Sequence, residues 1–163
     1  MTEAEIYSLL STEFGDKVVS FQGEEKTPFA VIQHQAIHEI MSFLKRDERL
    51  KFDSLMSLSG FDLGGAEQPL GIIYHLYSMS LNHYFAVKVL FEDRENPKLK
   101  TINDLFRTAD WHEREAYDMY GITFEGHPDF HRILLEDDWE GYPLRKDYVQ
   151  AEFYRGMKIA KEK

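Results

Sequence analysis

LGIIYHLYSMSLNHYFAVKVLF, residues 70–91, decides the fold. Its two apolar runs, 70–79 and 84–91, read as strands joined by the short turn Ser80-Leu81-Asn82-His83. Just upstream, residues 52–63 alternate roughly as a third strand, and Gly64-Gly65 with Pro69 turns the chain between them. The three read as a meander. Working back, Ile37, Ile40, Met41 and Leu44 recur at helical spacing and place a helix over 35–46. Residues 18–22 and 27–33 flank the turn Gly23-Glu24-Glu25-Lys26 and read as an antiparallel hairpin, with Pro28 near a strand start where a missing N–H is tolerated. At the front, Thr2-Glu3-Ala4-Glu5 fits a capping box for a helix whose stripe is Ile6, Leu9, Leu10 and Phe14, with Gly15 as its stop. The order α-β-β-α-β-β-β is that of an α+β domain with helices on one face of a mixed, largely antiparallel five-stranded sheet. The connection from the second strand through the helix to the third is long enough for a crossover, right-handed if those strands are parallel.

Composition fits one such domain. The chain has 163 residues, 43% of them hydrophobic and 29% charged, about one domain's worth and enough for one real core. No apolar run approaches the ~20 residues that span a bilayer, and the acidic start is expected to be neither a signal nor a transit peptide. The chain contains no cysteine, which excludes disulfides, thiolate-held clusters and a thiol nucleophile. Its net charge is −10, but residues 142–163 hold six basic and three acidic groups, so a +3 tail follows a −13 body. Such a body repels phosphate backbones, and nucleic acid is not expected as a partner.

After Asp93-Arg94-Glu95-Asn96-Pro97 the character changes. Thr101 is read as capping a short helix over 102–107, and Asp110 as capping another, with Glu113 at its N3 position, that ends at Gly121. On that second helix Ala116, Tyr117 and Tyr120 share one side, while Trp111, Arg114, Glu115 and Asp118 share the other, and Arg114 and Asp118, four apart, are placed to pair. A tryptophan among charges argues for an interface over a solvated face. Beyond Gly121 only residues 133–135 suggest a strand. The segment 136–148 sets acids around Trp139 and then Tyr142, Leu144 and Tyr148, as in a strap lying across another protein. Residues 1–121 are therefore read as the body and 122–163 as an extended strap with a basic tail.

Catalytic patterns are few. His112-Glu113 lacks the second histidine of a zincin, since position 116 is alanine. His127, Asp129 and His131 offer an open three-ligand metal site, and a metal-dependent hydrolase is the alternative they raise; Gly126 and Pro128 favour an ordered loop instead. No nucleophile elbow or phosphate cradle occurs.

The run WHEREAYDMYGITFEGHPDFHRILLEDDWEGYPLRKDY, residues 111–148, resembles the signature of the NuoC family, the C subunit of respiratory complex I, which is the proton-pumping NADH:quinone oxidoreductase. The matching residues are Glu113-Arg114-Glu115, Asp118-Met119-Tyr120-Gly121, His127-Pro128, Arg132-Ile133-Leu134 and Asp137-x-Trp139-x-Gly141-x-Pro143-Leu144-Arg145-Lys146-Asp147; His131 stands where that family more often has arginine or lysine. The resemblance implies a scaffold without a cofactor of its own, FMN, iron–sulfur clusters and quinone belonging to partner subunits. It implies the D, B and I subunits as neighbours, and a peripheral place on the cytoplasmic face of the inner membrane reached only through the complex. Trp111, Glu113, Arg114, Glu115, Asp118, Tyr120, His127, Arg132, Asp137, Trp139, Tyr142, Pro143, Arg145, Lys146 and Asp147 are then expected at subunit interfaces. Related subunits serve membrane hydrogenases and deazaflavin-linked or ferredoxin-driven quinone-reducing complexes, which would keep the scaffold and change the electron donor.

Overall fold

The structure, a computed structural model, describes residues 1–64 and 69–159; Gly65 in the turn read at 64–65, and the last basic residues of the tail, lie outside them. Helix α1 (Glu3–Phe14) begins with the expected capping box, the Glu5 N–H donating to Thr2 Oγ1 and the Thr2 N–H to the Glu5 carboxylate. Strands β1 (Val18–Gln22) and β2 (Phe29–Ile32) form the hairpin. A single 3₁₀ turn at His34–Ala36 precedes α2 (Ile37–Arg46). The meander is β3 (Ser54–Asp62), β4 (Leu70–Ser78) and β5 (His83–Phe91), and Asn82 takes the left-handed conformation in its second turn. The spatial order is β1-β2-β5-β4-β3, with β2 and β5 parallel and every other pair antiparallel. The crossover from β2 through α2 therefore passes over two strands before β3 is laid down at the far edge.

A bulge between Leu55 and Ser57 breaks the period of two and restores Leu58 to the buried face. On that face Leu58, Ile72, Tyr74, Phe85, Val87 and Val89 join Ile6 and Leu10 of α1 and Ile37, Ile40, Met41 and Leu44 of α2 in one core. No described helix is long and apolar enough to cross a membrane.

The last third departs from the sequence reading in five places. Residues 102–107 form turns and no helix: the Thr101 hydroxyl accepts from the Asn103 N–H, a local turn. Helix α3 (Ala109–Tyr120) starts two residues earlier than expected: its N-cap is Thr108 in place of Asp110, and the Thr108 hydroxyl donates to Leu55 O in β3 instead of capping. Asp110 thus sits inside the first turn and Glu113 is no capping-box partner. Residues 133–135 are not a strand. Two three-residue strands, β6 (Lys98–Lys100) and β7 (Thr123–Glu125), pair in parallel instead and bury Leu99 and Phe124. The tail closes with a two-by-two hairpin of β8 (Phe153–Tyr154) and β9 (Met157–Lys158). Helix α3 does end at Gly121, at φ +72°, where a Cβ would also strike the Tyr142 ring.

Candidate functional site

Helix α3 crosses β3 on the helix face of the sheet. Gly60 permits this, since a Cβ there would meet the Tyr120 ring. The wheel turns the charged side of α3 outward, but half of that side is consumed internally. Asp118 is 0% exposed. Its carboxylate accepts from Arg132 Nη1 at 2.7 Å and from the N–H groups of Ile133, Leu134 and Leu135 at 3.1, 2.7 and 2.9 Å. Burial pushes this carboxyl up, but the three backbone donors and Arg132 outweigh it, and the net displacement is downward. The apolar run at 133–135, strand-like in sequence, is a loop wrapped around an anion.

Arg114 does not pair with Asp118. Its Nη2 lies on His131 Nε2 and its Nε donates to the His131 carbonyl, with Asp110 and Asp129 carboxylates at 3.8 and 3.9 Å. His131 accepts at Nε2 and so carries its proton at Nδ1, which faces Asp129 at 3.1 Å. The neutral ring accepts a guanidinium bond that an arginine or lysine at this position has no lone pair to accept.

Glu113 is fully buried. The Thr101 hydroxyl and the Ile102 N–H, the latter at 2.9 Å, donate to it. Burial is the leading cause that pushes this carboxyl up to about 7, against the two donors, with Asp110 and Asp104 adding repulsion. Tyr74 Oη, likewise buried, has no hydrogen-bond partner among the described residues. His127, its side chain also buried, accepts from the Asp129 N–H at Nδ1 and donates from Nε2 to the Asp110 carbonyl at 3.2 Å. Both His127 ring nitrogens are thus occupied by hydrogen bonds within the chain. No group of three or more such residues among the described ones is placed to hold an ion. The hydrolase alternative finds no such cluster among the described residues.

The strap is pinned to the body partly through Asp62 and Arg94, which the sequence does not flag. Asp62 at the end of β3 and Arg94 after β5 form a buried bidentate pair at 2.8 and 2.9 Å. Arg94 also reaches Asp147 at 3.2 Å, and the Lys146 N–H donates to Asp62 at 2.8 Å. The Arg94 guanidinium holds the Asp62 carboxyl well below the usual range despite burial. Arg145 Nε donates to the Tyr120 carbonyl at 2.7 Å while its guanidinium stacks on Tyr142, and the Leu144 N–H donates to the Met119 carbonyl. Arg132 reaches onward to the carbonyls of Trp139 and Gly141, and Trp139 packs on Tyr154 at 5.0 Å. Pro143 is half-buried in this stretch.

What remains outward is the complement. Trp111 is 64% exposed with Arg114 against its ring. Leu134, Leu144, Val149, Phe153 and Met157 are exposed. Glu115, Asp137 and the Lys146 ammonium are exposed without an ion pair among the described residues. The surface thus presents large apolar groups and a few uncommitted charges on a rigid, internally neutralised base. The residues expected at interfaces divide into those that build this base (Glu113, Arg114, Asp118, Tyr120, His127, Arg132, Trp139, Tyr142, Pro143, Arg145, Asp147) and those it holds outward (Trp111, Glu115, Asp137, Lys146).

The family described as "Respiratory-chain NADH dehydrogenase, 30 Kd subunit" matches residues 30–154. A protein of Chloroherpeton thalassium, named as the C subunit of NADH-quinone oxidoreductase, is 45% identical over 155 residues, covering 94% of this chain and 63% of that protein. The chain therefore spans less than two thirds of that relative's length. A protein of Phocaeicola vulgatus, named as the C/D subunit of NADH-quinone oxidoreductase, is 44% identical over 120 residues, covering 74% of this chain and 22% of that protein. Among solved structures, a chain in the membrane-bound sulfane sulfur reductase, an archaeal respiratory membrane complex, superposes with a TM-score of 0.71 at 20% identity, covering 90% of this chain and 85% of that one. At that identity the likeness is one of fold. On the span of the family match and the identity to its relatives, this chain belongs to the family of the 30 kDa subunit of respiratory-chain NADH dehydrogenase, the C subunit of NADH-quinone oxidoreductase.

Proposed function

We propose that this chain is a non-catalytic scaffold in the peripheral arm of a proton-translocating NADH:quinone oxidoreductase, holding its neighbours in register while they carry electrons from NADH to quinone. The observation that carries the reading is the surface of α3 and the strap: Trp111, Leu144, Val149 and Phe153 lie exposed beside charges already satisfied within the chain. Apolar groups on a base this costly in buried ions are worth keeping only if something covers them. Family membership names the assembly. The D subunit is the first partner to expect, because the Phocaeicola relative's name joins C and D; the B and I subunits are the further neighbours. FMN, iron–sulfur clusters and quinone belong to those partners, a chain without cysteine having no thiolate to hold a cluster. Attachment to the cytoplasmic face of the membrane is indirect, through the complex. The identity to NADH-quinone oxidoreductase subunits favours NADH as donor over the hydrogenase, deazaflavin and ferredoxin alternatives.

The test is complementation of a strain lacking this chain with a Trp111→Ala/Lys146→Ala variant. Assembled complex and NADH:quinone reduction fall together while the isolated variant melts like the wild type. Normal assembly and turnover, or NADH or quinone turnover by the purified chain alone, would overturn the proposal. Arg114→Ala is a poorer probe, because Arg114 is committed inside the chain and its loss acts through folding; Asp137→Ala removes an uncommitted charge and reports on the interface itself.

A further inference from the structure

All three long helices pack on one side of the sheet; on the other side no described helix packs, and Phe29, Val31, Phe61, Ile73, Tyr77, Lys88 and Leu90 are half-buried. Register fixes what it presents. Ser59, Ile73, Lys88 and Val31 form one row across β3, β4, β5 and β2; Ser57, His75, Ala86 and Phe29 form the next. Phe61, Gly71 and Leu90 lie on one flank, and Tyr77 with Tyr84 on the other. Phe61 lies flat across β4 because position 71 is glycine, where a Cβ would meet its ring. None of Phe29, Val31, Phe61, Ile73, Tyr77 or Leu90 belongs to the core or packs against it. This is an apolar, aromatic sheet face where a solvated one would alternate polar residues outward.

Its charge is equally particular. In a chain of net −10, no aspartate or glutamate stands on these rows. Lys88 sits at the centre, its ammonium 3.5 Å from the Phe29 ring centroid and 5.5 Å from that of Phe61. His75 lies one row away. Glu25, whose charge acts on Lys88, comes from the β1–β2 turn at the rim, and burial lowers the pKa of both Lys88 and His75. An ammonium held over two rings is already partly stripped of water, so meeting a carboxylate costs it less further desolvation. An open cleft of about 830 Å³ runs off one end of the face, between Val31, Leu90 and the segment after β5; Glu92 and Asp93 line it, so it gives room for an apolar or basic side chain of the occupant and leaves the carboxylate to Lys88.

We propose that this sheet face is a second docking surface, which takes an apolar segment of a neighbouring polypeptide carrying a carboxylate for Lys88. The inference rests on the scaffold reading for the existence of neighbours and adds where one of them sits. A second copy of this chain is disfavoured, since a two-fold contact sets Lys88 against Lys88. An anionic membrane is disfavoured by one lysine on a body of net negative charge.

The experiment labels Lys88 with an amine-acylating reagent in the isolated chain and in the purified complex, with Trp111 oxidation read in the same samples. Lys88 is acylated readily in the isolated chain and about tenfold more slowly in the complex, as expected for a side chain in an interface core. Lys88→Glu lowers recovery of the chain in the complex about tenfold, like charges meeting across the contact, and Lys88→Arg restores it; the isolated variants keep the wild-type circular dichroism. If Trp111 is protected while Lys88 labels equally in both samples, the sheet-face inference fails and the scaffold reading stands. If neither is protected, both fail. Sedimentation with anionic phospholipid vesicles that Lys88→Glu abolishes, or a concentration-dependent dimer that it abolishes, would give the face to a membrane or a second copy and overturn the proposal.

Discussion

Replacing Glu113 by glutamine should stabilise this protein, and more so the higher the pH. An ordinary glutamate carboxyl titrates near 4.5, whereas burial pushes that of Glu113 to about 7 in spite of the Ile102 and Thr101 donors. The displacement of roughly 2.5 pH units corresponds to about 3 kcal/mol. The sign follows from which state holds the proton. Between pH 4.5 and about 7 the folded protein keeps it and the unfolded chain has lost it, so this group's contribution is full below pH 4.5 and disappears as pH rises through 7. Glutamine has no proton to lose: its amide oxygen accepts from the Ile102 N–H, and its NH2, in the place of the second carboxylate oxygen, donates to the Thr101 hydroxyl oxygen, as the protonated carboxyl does. Urea unfolding at constant ionic strength, repeated from pH 4 to pH 8, measures the effect. The two proteins should lie within about 1 kcal/mol of each other at the acid end, and the variant should lead by about 3 kcal/mol at the alkaline end. Parallel curves, or a wild type that gains on the variant as pH rises, would refute the claim that an uncompensated carboxyl is buried under the 101–102 corner.

Three further outcomes follow from the same contacts. Asp118→Asn leaves Arg132 facing a neutral amide in a closed site and should cost about 3–5 kcal/mol, with faster tryptic cleavage at Arg132; a loss under 1 kcal/mol in urea unfolding would show that the 133–135 loop does not depend on the anion. Gly121→Ala meets both a left-handed backbone and the Tyr142 ring, roughly 1–2 kcal/mol for the first and 1–3 kcal/mol for the second, so a melting temperature equal to the wild type's would contradict the described Tyr142 packing. Arg94→Met strands the Asp62 carboxylate and should cost about 3–5 kcal/mol at neutral pH. Because the Asp62 carboxyl is held low by Arg94, the wild type's advantage over that variant is present above pH 4 and fades on acidification, which acid titration of the two proteins checks.

The front two thirds are legible because their signals are local. Thr2 and Glu5 cap a helix three residues apart, residues 70–91 announce a hairpin by themselves, and the stripe Ile37, Ile40, Met41 and Leu44 marks α2 at its own spacing. Pairing at a distance leaves no such mark. Arg94 finds Asp62 across 32 positions and Asp147 across 53, and β6 finds β7 through three residues each, too few to display a period. Helical spacing assigns Asp118 to Arg114, yet three backbone N–H groups and Arg132 together outweigh a single i,i+4 pair. Glu113 resembles a capping residue only if α3 starts two residues late, and its burial depends on the 101–102 corner above it, which no local pattern announces. The resemblance in residues 111–148 identifies the family correctly, but it marks one undivided interface where the structure separates a satisfied base from the few side chains left facing outward.

A scaffold role requires those outward side chains to be covered in the native assembly. Hydroxyl-radical oxidation of Trp111, Leu144 and Val149, compared between the isolated chain and the complex purified from its membrane, tests it directly. Rapid oxidation of all three in isolation and strong protection in the complex is the expected outcome. Equal oxidation in both states would contradict it.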